Sequence, residues 1–298
     1  MRKFHLTEKA MEKMQIDSPA KDPAGRSAAG DQADETKLKD QEEKMTGYQC
    51  SWRTDIGRIR KTNQDVVIFG HGLAGVADGM GGHNGGEVAS NSLKDGLYRE
   101  LNGKTPDLQA LKEAVEKINN ELWETQEKDA ALTGMGTTLT LLWPDADRVL
   151  IAQVGDSRAY LLRDGTLQRR TEDHSIVADM VRRGVLTEEQ AACHPLRNYI
   201  TRAVGTDDTV EVDLYTEGRQ KGDRWLVCSD GLYGQMTNDA LQEYLSMENL
   251  EEAADKLLQT ALDNGGKDNI SLVLLEDTTG AQNGPSSSET SVTEEALS

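Results

Sequence analysis

Five aspartates stand at the ends of apolar segments that have the composition of β-strands. Asp78, Asp156 and Asp230 follow such segments, whereas Asp65 and Asp268 come shortly before one. A single aspartate in this position is typical of a turn, because Asp and the Asp-Gly pair are favoured there. Five of them in one chain favour a shared chemical role over turn formation alone.

Carboxylates gathered at one edge of a sheet would suit divalent cations. Their charges repel one another, so without cations the groups would take up protons or destabilise the fold. Oxygen ligands with no nearby cysteine or paired histidine select Mg²⁺ or Mn²⁺ over zinc. Two such ions lower the pKa of a bridging water and hold the oxygens of an in-line displacement at phosphorus. The residues therefore predict metal-assisted phosphoester hydrolysis, and they leave open a protein, nucleotide or sugar phosphate substrate.

The composition excludes several other classes of protein. The 298 residues carry a net charge of −19, which repels phosphate backbones and anionic membranes, so neither nucleic acid nor membrane is an expected partner. Cys50, Cys193 and Cys228 are odd in number and lack CxxC spacing, which argues against a disulfide framework. No apolar run reaches the ~18 residues of a membrane span, and no signal peptide is recognisable. We expect a soluble, cytoplasmic protein and a monomer.

The chain divides into one folded domain and two polar ends. Residues 1–47 are rich in Ala, Gly, Lys and acidic residues, and residues 278–298 are rich in Ser, Thr and Glu, so both are expected to be disordered. The ends carry charges of −1 and −3, which leaves −15 for residues 48–277. The acidity therefore belongs to the predicted domain.

The hydrophobic pattern of that domain predicts a mixed α+β fold. Several strands follow one another between pairs of helices, which favours antiparallel sheets with helices packed outside over a parallel βαβ arrangement. Thr105 is the predicted cap of the helix that starts at Pro106, and Asn249 is the cap of the last helix. Helices are predicted over 86–101, 106–127, 238–246 and 250–264, and strands over 137–143, 149–154, 158–162, 210–214, 224–228 and 270–275.

Six short segments resemble motifs of the metal-dependent (PPM, type 2C) Ser/Thr protein phosphatases, in the order in which that family has them. Together they span about residues 50–276, and the Asp-Gly-Met-Gly-Gly-His form is similar to the bacterial branch. The segments are RKTNQD at 60–65, VADGMGGH at 76–83, GTT at 136–138, GDSR at 155–158, SDG at 229–231 and KDNI at 267–270.

The resemblance implies a four-layer α-β-β-α sandwich of two antiparallel sheets, with a metal cleft at one edge. It implies that Asp78 bridges two Mn²⁺ or Mg²⁺ ions and that the Gly79 carbonyl binds the second. Asp230 and Asp268 would complete the coordination of the first ion, and Asp65 would hold water molecules bound to the second. The nucleophile would be a hydroxide that bridges the two ions.

Three further residues receive roles from the same resemblance. Asp156, together with Asp230, resembles a weaker third metal site. Arg60 would bind the substrate phosphate, since a guanidinium forms a fork onto two oxygens. His83 is a candidate general acid for the leaving oxygen, although a histidine in a Gly-rich loop can equally be structural.

The implied activity is hydrolysis of phosphoserine and phosphothreonine in proteins, opposing a Ser/Thr kinase. Its partners would be phosphorylated proteins, including such a kinase. Two alternatives stay open: a phosphatase dedicated to one partner, and a catalytically silent module that binds phosphoproteins. Residues 175–198 resemble the family's flap beside the cleft, which is either a packed helix pair or a docking segment for the substrate.

Overall fold

The computed structural model describes residue 45, residues 47–81 and residues 85–279, and in this part the chain forms eleven strands and seven α-helices. The strands are β1 Tyr48–Asp55, β2 Asp65–Gly70, β3 Leu73–Met80, β4 Gly136–Thr137, β5 Leu139–Pro144, β6 Arg148–Val154, β7 Arg158–Arg163, β8 Thr166–Arg169, β9 Asp213–Gly218, β10 Arg224–Cys228 and β11 Ile270–Asp277. The helices are α1 Gly85–Leu101, α2 Leu108–Lys128, α3 Ile176–Arg182, α4 Glu188–Ala192, α5 Asp230–Tyr233, α6 Asn238–Leu245 and α7 Leu250–Asp263.

The strands form two sheets in which every pairing is antiparallel. The first sheet has the order β1-β11-β10-β7-β8. The second has the order β2-β3-β5-β6-β9, and the short β4 also pairs with β3. None of the helices in the described ranges is long and apolar enough to cross a membrane.

Three apolar layers hold the sheets and helices together. Between the sheets, Val76 and Ile151 from one sheet pack with Trp225 and Val273 from the other. Residues of α1 and α2 cover the outer face of the second sheet, and residues of α6 and α7 cover the outer face of the first. Because both sheets are covered on two faces, their central strands β5, β6, β10 and β11 are largely apolar and buried. The expected α-β-β-α sandwich is confirmed.

The structure corrects several predicted element boundaries. Helix α2 begins two residues later than predicted, because Asp107 rather than Thr105 is its cap and accepts a hydrogen bond from the Ala110 N–H. The strand predicted over 210–214 begins only at Asp213, where pairing with β6 starts. Val210 and Val212 are buried instead by packing on the core beneath α1 and α2.

Other elements differ because tertiary contacts override the local pattern. The strand predicted over 137–143 is two strands, β4 and β5, separated at Thr138, whose N–H donates to the Asp78 carbonyl. The sequence pattern does not predict β1 and β8, because apolar and polar residues do not alternate clearly in either segment. The disorder predicted for residues 1–47 and 278–298 falls almost entirely outside the described residues and stays a prediction.

Candidate metal centre

The five aspartates lie close enough together for the charge of each to affect the pKa of the others. Asp65 on β2 stands directly opposite Asp78 on β3 in the antiparallel register. Burial, followed by the charges of Asp65, Asp230, Asp156 and Asp268, raises the pKa of Asp78 well above its usual value. The ends of strands from both sheets therefore converge, which is the arrangement that the family resemblance implies.

Asp65 is buried and only partly satisfied by hydrogen bonds. Its Oδ2 accepts a hydrogen bond from the Ser229 hydroxyl at 2.7 Å. Its Oδ1 is buried and has no hydrogen-bond partner among the residues that the structure describes. Burial is the main reason that its pKa rises to about 6. A buried carboxylate oxygen without a donor is costly, so this atom favours a cation in the cleft.

Asp230 presents a second buried oxygen of the same kind. It is the first residue of the short helix α5, separated by one residue from the end of β10, and within the described ranges its Oδ1 has no hydrogen-bond partner. A Cβ on Gly231 would stand 1.9 Å from the Asn269 carbonyl oxygen, so only glycine lets α5 approach the segment that carries Asp268. Burial, and then the charges of Asp156 and Asp268, raise the pKa of Asp230 well above its usual value.

Gly79 lies where the backbone of β3 passes closest to α1. Its N–H donates to the Gln64 carbonyl at 3.1 Å. A Cβ at this position would stand 2.1 Å from the Gly86 carbonyl oxygen and 2.6 Å from that of Gln64. Only glycine therefore lets the backbone of β3 approach α1 this closely. The metal-binding role that the resemblance implies for the Gly79 carbonyl stays a prediction.

Replacing Gly79 with Ala is expected to lower the free energy of unfolding by about 2–4 kcal/mol, because the backbone of β3 must move away from α1. Urea denaturation of the metal-free protein measures this change. Gly218→Ala is the matched control, since Gly218 is also in a strand and a Cβ there meets nothing within 4 Å. Equal stability of Gly79→Ala and Gly218→Ala would contradict the close approach.

Asp156 lies in the turn after β6, supported by a group of polar and aromatic side chains. The Tyr233 hydroxyl donates to the Asp156 carbonyl oxygen at 3.0 Å. The Arg158 guanidinium lies 3.7 Å from the centre of the Tyr233 ring and pairs with Asp173 at 2.6 Å. Burial first, and then the Asp173 charge, raise the pKa of Asp156 to about 7.

Arg60 and Asp268 form an ion pair beside the buried carboxylates. Arg60 Nη2 donates to Asp268 Oδ2 at 2.6 Å, and about half of the Arg60 side chain is exposed. Asp268 Oδ1 accepts a hydrogen bond from the Asn269 N–H at 2.9 Å. The positively charged guanidinium of Arg60 thus lies beside the acidic cleft, where it can bind a phosphate. His83 lies outside the described residues, so its role as general acid or structural residue stays open.

Asn269 is a positioning residue whose role the sequence did not indicate. Its side-chain amide donates to the carbonyl oxygens of Ile56 and Thr62, both at 3.0 Å. Its Oδ1 accepts from the Gln64 N–H at 2.9 Å. The loop that carries Arg60 is thereby fixed to the segment that carries Asp268. The only sequence signal was its place next to Asp268, in the last of the six motifs.

His174 fixes the turn that carries Asp156 to the base of the predicted flap. Its Nδ1 accepts from the Gly155 N–H at 3.0 Å, so its Nε2 is the donor to Asp213 Oδ2 at 3.0 Å. Burial is the main reason that its pKa is lowered. The predicted flap contains α3 and α4, and an isolated antiparallel β-bridge between Ser175 and Ile200 joins the two ends of this part of the chain.

The donor set suits hydrated hard cations. Within the described part of the chain, no three Asp, Glu, His or Cys side chains already form a complete metal cage. The cleft instead offers two unpartnered, buried carboxylate oxygens and a close backbone approach at Gly79. Mg²⁺ and similar ions keep several waters and need few direct protein ligands. The residues present therefore fit the divalent ions that the sequence predicts.

The comparisons with known proteins agree with this geometry. The serine/threonine phosphatase stp of Listeria monocytogenes serotype 4b is 38% identical over 246 residues, which cover 76% of this chain and 95% of that protein. The serine/threonine protein phosphatase PstP of Mycobacterium tuberculosis is 40% identical over 227 residues, which cover 75% of this chain and 44% of that protein.

Solved structures give the same result. The crystal structure of the M. tuberculosis serine/threonine phosphatase PstP/Ppp matches with a TM-score of 0.74 and 37% identity over 78% of this chain and 99% of that one. A structure of the PstP catalytic domain in complex with two manganese ions matches with a TM-score of 0.72 and 36% identity, over 78% and 98% of the two chains. Residues 60–274 also match the family model described as Protein phosphatase 2C. The predicted family and enzyme class are thereby confirmed, and the chain belongs to the protein phosphatase 2C family.

Proposed function

We propose that the chain hydrolyses phosphoserine and phosphothreonine in proteins, in a reaction that depends on Mn²⁺ or Mg²⁺. The observation that carries the proposal is a pair of buried oxygens, Asp65 Oδ1 and Asp230 Oδ1, that have no hydrogen-bond partner in the described part of the chain and lie in one acidic cleft with Arg60 beside it. The names of the relatives support the phosphoserine and phosphothreonine specificity, and the solved PstP domain with two manganese ions supports the metal dependence.

The proposed division of work among the site residues follows their positions. Asp78, the Gly79 carbonyl, Asp230 and Asp268 would hold two ions, with Asp65 orienting waters of the second. When bound, these ions supply an activated water for attack at phosphorus, so no Ser or Cys nucleophile is needed. Asp156 with Asp230 would form a weaker third site.

Arg60 would hold the substrate phosphate. Its guanidinium lies beside the buried carboxylates and pairs with Asp268, so it can bind phosphate oxygens while the ester bond faces the metal cleft. The proton for the leaving serine or threonine oxygen comes from a group near the cleft, with His83 the candidate that the sequence offers.

The biological setting follows from this activity. The partners would be phosphorylated proteins, and a Ser/Thr kinase would provide the opposing reaction. We infer a monomer in the cytoplasm with no nucleic-acid or membrane partner, from the net charge of −19 and the composition. The flap would contribute to substrate choice because mobile segments beside a cleft commonly gate it.

Hydrolysis of a phosphothreonine peptide by the full chain, with Mn²⁺ and then with EDTA, tests the proposal. We expect turnover with Mn²⁺, loss of turnover in EDTA, and little activity on the matched phosphotyrosine peptide. Turnover that survives EDTA would contradict metal dependence. Absence of turnover with Mn²⁺ bound would instead favour the phosphoprotein-binding module.

A further inference from the structure

The loop between β1 and β2, residues 56–64, displays apolar side chains next to the proposed phosphate-binding arginine. Ile59 directly precedes Arg60 and is 68% exposed, and Ile56 is 37% exposed. Within the described residues, only two other large apolar side chains, Val185 and Tyr199, are as accessible as Ile56 or more. Single exposed apolar residues are common on protein surfaces, so the surroundings of this pair must decide its meaning.

The loop is fixed in place rather than loosely attached. The Asn269 amide holds the carbonyl oxygens of Ile56 and Thr62, and the Arg58 N–H donates to the Gly266 carbonyl at 2.7 Å. These bonds join the loop at several points to the segment that ends in Asp268. The backbone on both sides of Ile59 is thus anchored, and its side chain is exposed at a defined place in the loop.

The position of Ile59 relative to the reaction centre identifies what would cover it. Consecutive Cα atoms are 3.8 Å apart, so Ile59 lies within one residue of the side chain that would hold the phosphate. An extended peptide rises by about 3.3 Å per residue. Three residues of extended peptide span about 10 Å, so a residue within three positions of the phosphorylated one comes within reach of Ile59 when the Arg60 guanidinium holds the phosphate.

We propose that Ile59, with Ile56 beside it in the same loop, binds a bulky aliphatic side chain of the substrate within three residues of the phosphothreonine. This inference rests on the proposed function and adds a substrate class to it: phosphoproteins with Leu, Ile or Val close to the phosphorylated residue. Removing the exposed surface of an isoleucine from water is sufficient for an increase of about fivefold in kcat/KM.

The test uses phosphothreonine peptides in a Gly-Ser background, each with one leucine at a position from three before to three after the phosphothreonine. For the full chain with Mn²⁺, we expect at least one leucine peptide to have a kcat/KM about fivefold above the leucine-free peptide. Ile59→Ser should reduce this ratio below about twofold, and Ile59→Val should retain most of it.

Thr166→Ser is the control, because Thr166 is an exposed β-branched side chain in β8, outside both the flap and the loop between β1 and β2. A ratio that stays high in Ile59→Ser, or that falls equally in Thr166→Ser, overturns the inference. Gel filtration of the wild type and Ile59→Ser provides a second check, because an Ile59-dependent dimer would show that another copy covers this surface and would also overturn it.

The outcomes separate this inference from the proposed function. Equal hydrolysis of all peptides by the wild type would overturn the aliphatic preference and leave the phosphatase activity intact. Hydrolysis of none of them, by protein that binds Mn²⁺, would overturn both.

Discussion

Replacing Asp230 with Asn is expected to lower kcat on a phosphothreonine peptide by about 10³-fold or more. The substitution removes the negative charge of a buried carboxylate whose Oδ1 has no donor within the described structure and is proposed to bind a cation. The loss of a bound metal removes several kcal/mol of transition-state stabilisation, and each 1.36 kcal/mol corresponds to a factor of ten in rate. Steady-state kinetics at saturating Mn²⁺ measures the effect.

Two controls separate a lost metal site from a damaged fold. Asp164→Asn removes one acidic charge from an exposed turn in the left-handed region, which asparagine adopts readily, and should leave kcat unchanged. The metal-free Asp230→Asn protein should be at least as stable as the wild type, because one member of a repelling group of carboxylates is now neutral. A variant that is stable and retains full activity would show that Asp230 is not a metal ligand.

The metal-free protein is expected to become less stable as the pH rises from about 4 to about 7. The pKa of Asp65 is raised to about 6 and that of Asp156 to about 7, mainly by burial. The folded state therefore keeps protons that the unfolded state has already released, so the contribution of these two aspartates to stability is greatest at low pH and is lost through this window. At about 1.4 kcal/mol per pKa unit, the rise of both pKa values from the usual 3.8 corresponds to a loss on the order of 7 kcal/mol. Denaturant unfolding at several pH values in EDTA measures it.

Saturating Mn²⁺ should abolish or reverse this dependence, because the ions bind the ionised carboxylates and stabilise the folded state. His174 acts in the opposite direction. Its lowered pKa means that stability is lost as the pH falls below its ordinary value near 6.5, with or without metal. Asp156→Asn should flatten the slope of the metal-free protein and leave the His174 contribution in place. Identical pH dependence in EDTA and in Mn²⁺ would contradict a cation site formed by these aspartates.

The strand ends were visible in the sequence because the apolar pattern and the aspartates are both local features. β10 begins and ends where its pattern predicts, and Asp78, Asp230 and Asp268 lie near strand ends as expected. The convergence of these strand ends was implied only by the family resemblance, because the local pattern does not show which strand ends of the two sheets meet.

The contacts that hold the aspartates could not be predicted, because they join residues far apart in the chain. The Ser229 hydroxyl donates to Asp65 across 164 positions, and the Asn269 amide reaches Thr62 across 207. The type of a residue does not reveal such a partner until the fold is known. The prediction of the α2 cap was wrong for a local reason. Thr105, Pro106 and Asp107 are all favourable near a helix start, and the side-chain geometry that makes Asp107 the cap is not visible in the sequence.

The most direct test of the central claim is a calorimetric titration of the metal-free full chain with Mn²⁺, beside Asp78→Asn. Asp78 stands opposite Asp65, and the charges of all four other aspartates raise its pKa, so Asp78 occupies the centre of the acidic cleft. We predict two bound ions in the wild type, and weakened binding of both together with lost phosphothreonine hydrolysis in Asp78→Asn. Equal Mn²⁺ binding and equal turnover in the two proteins would contradict the account.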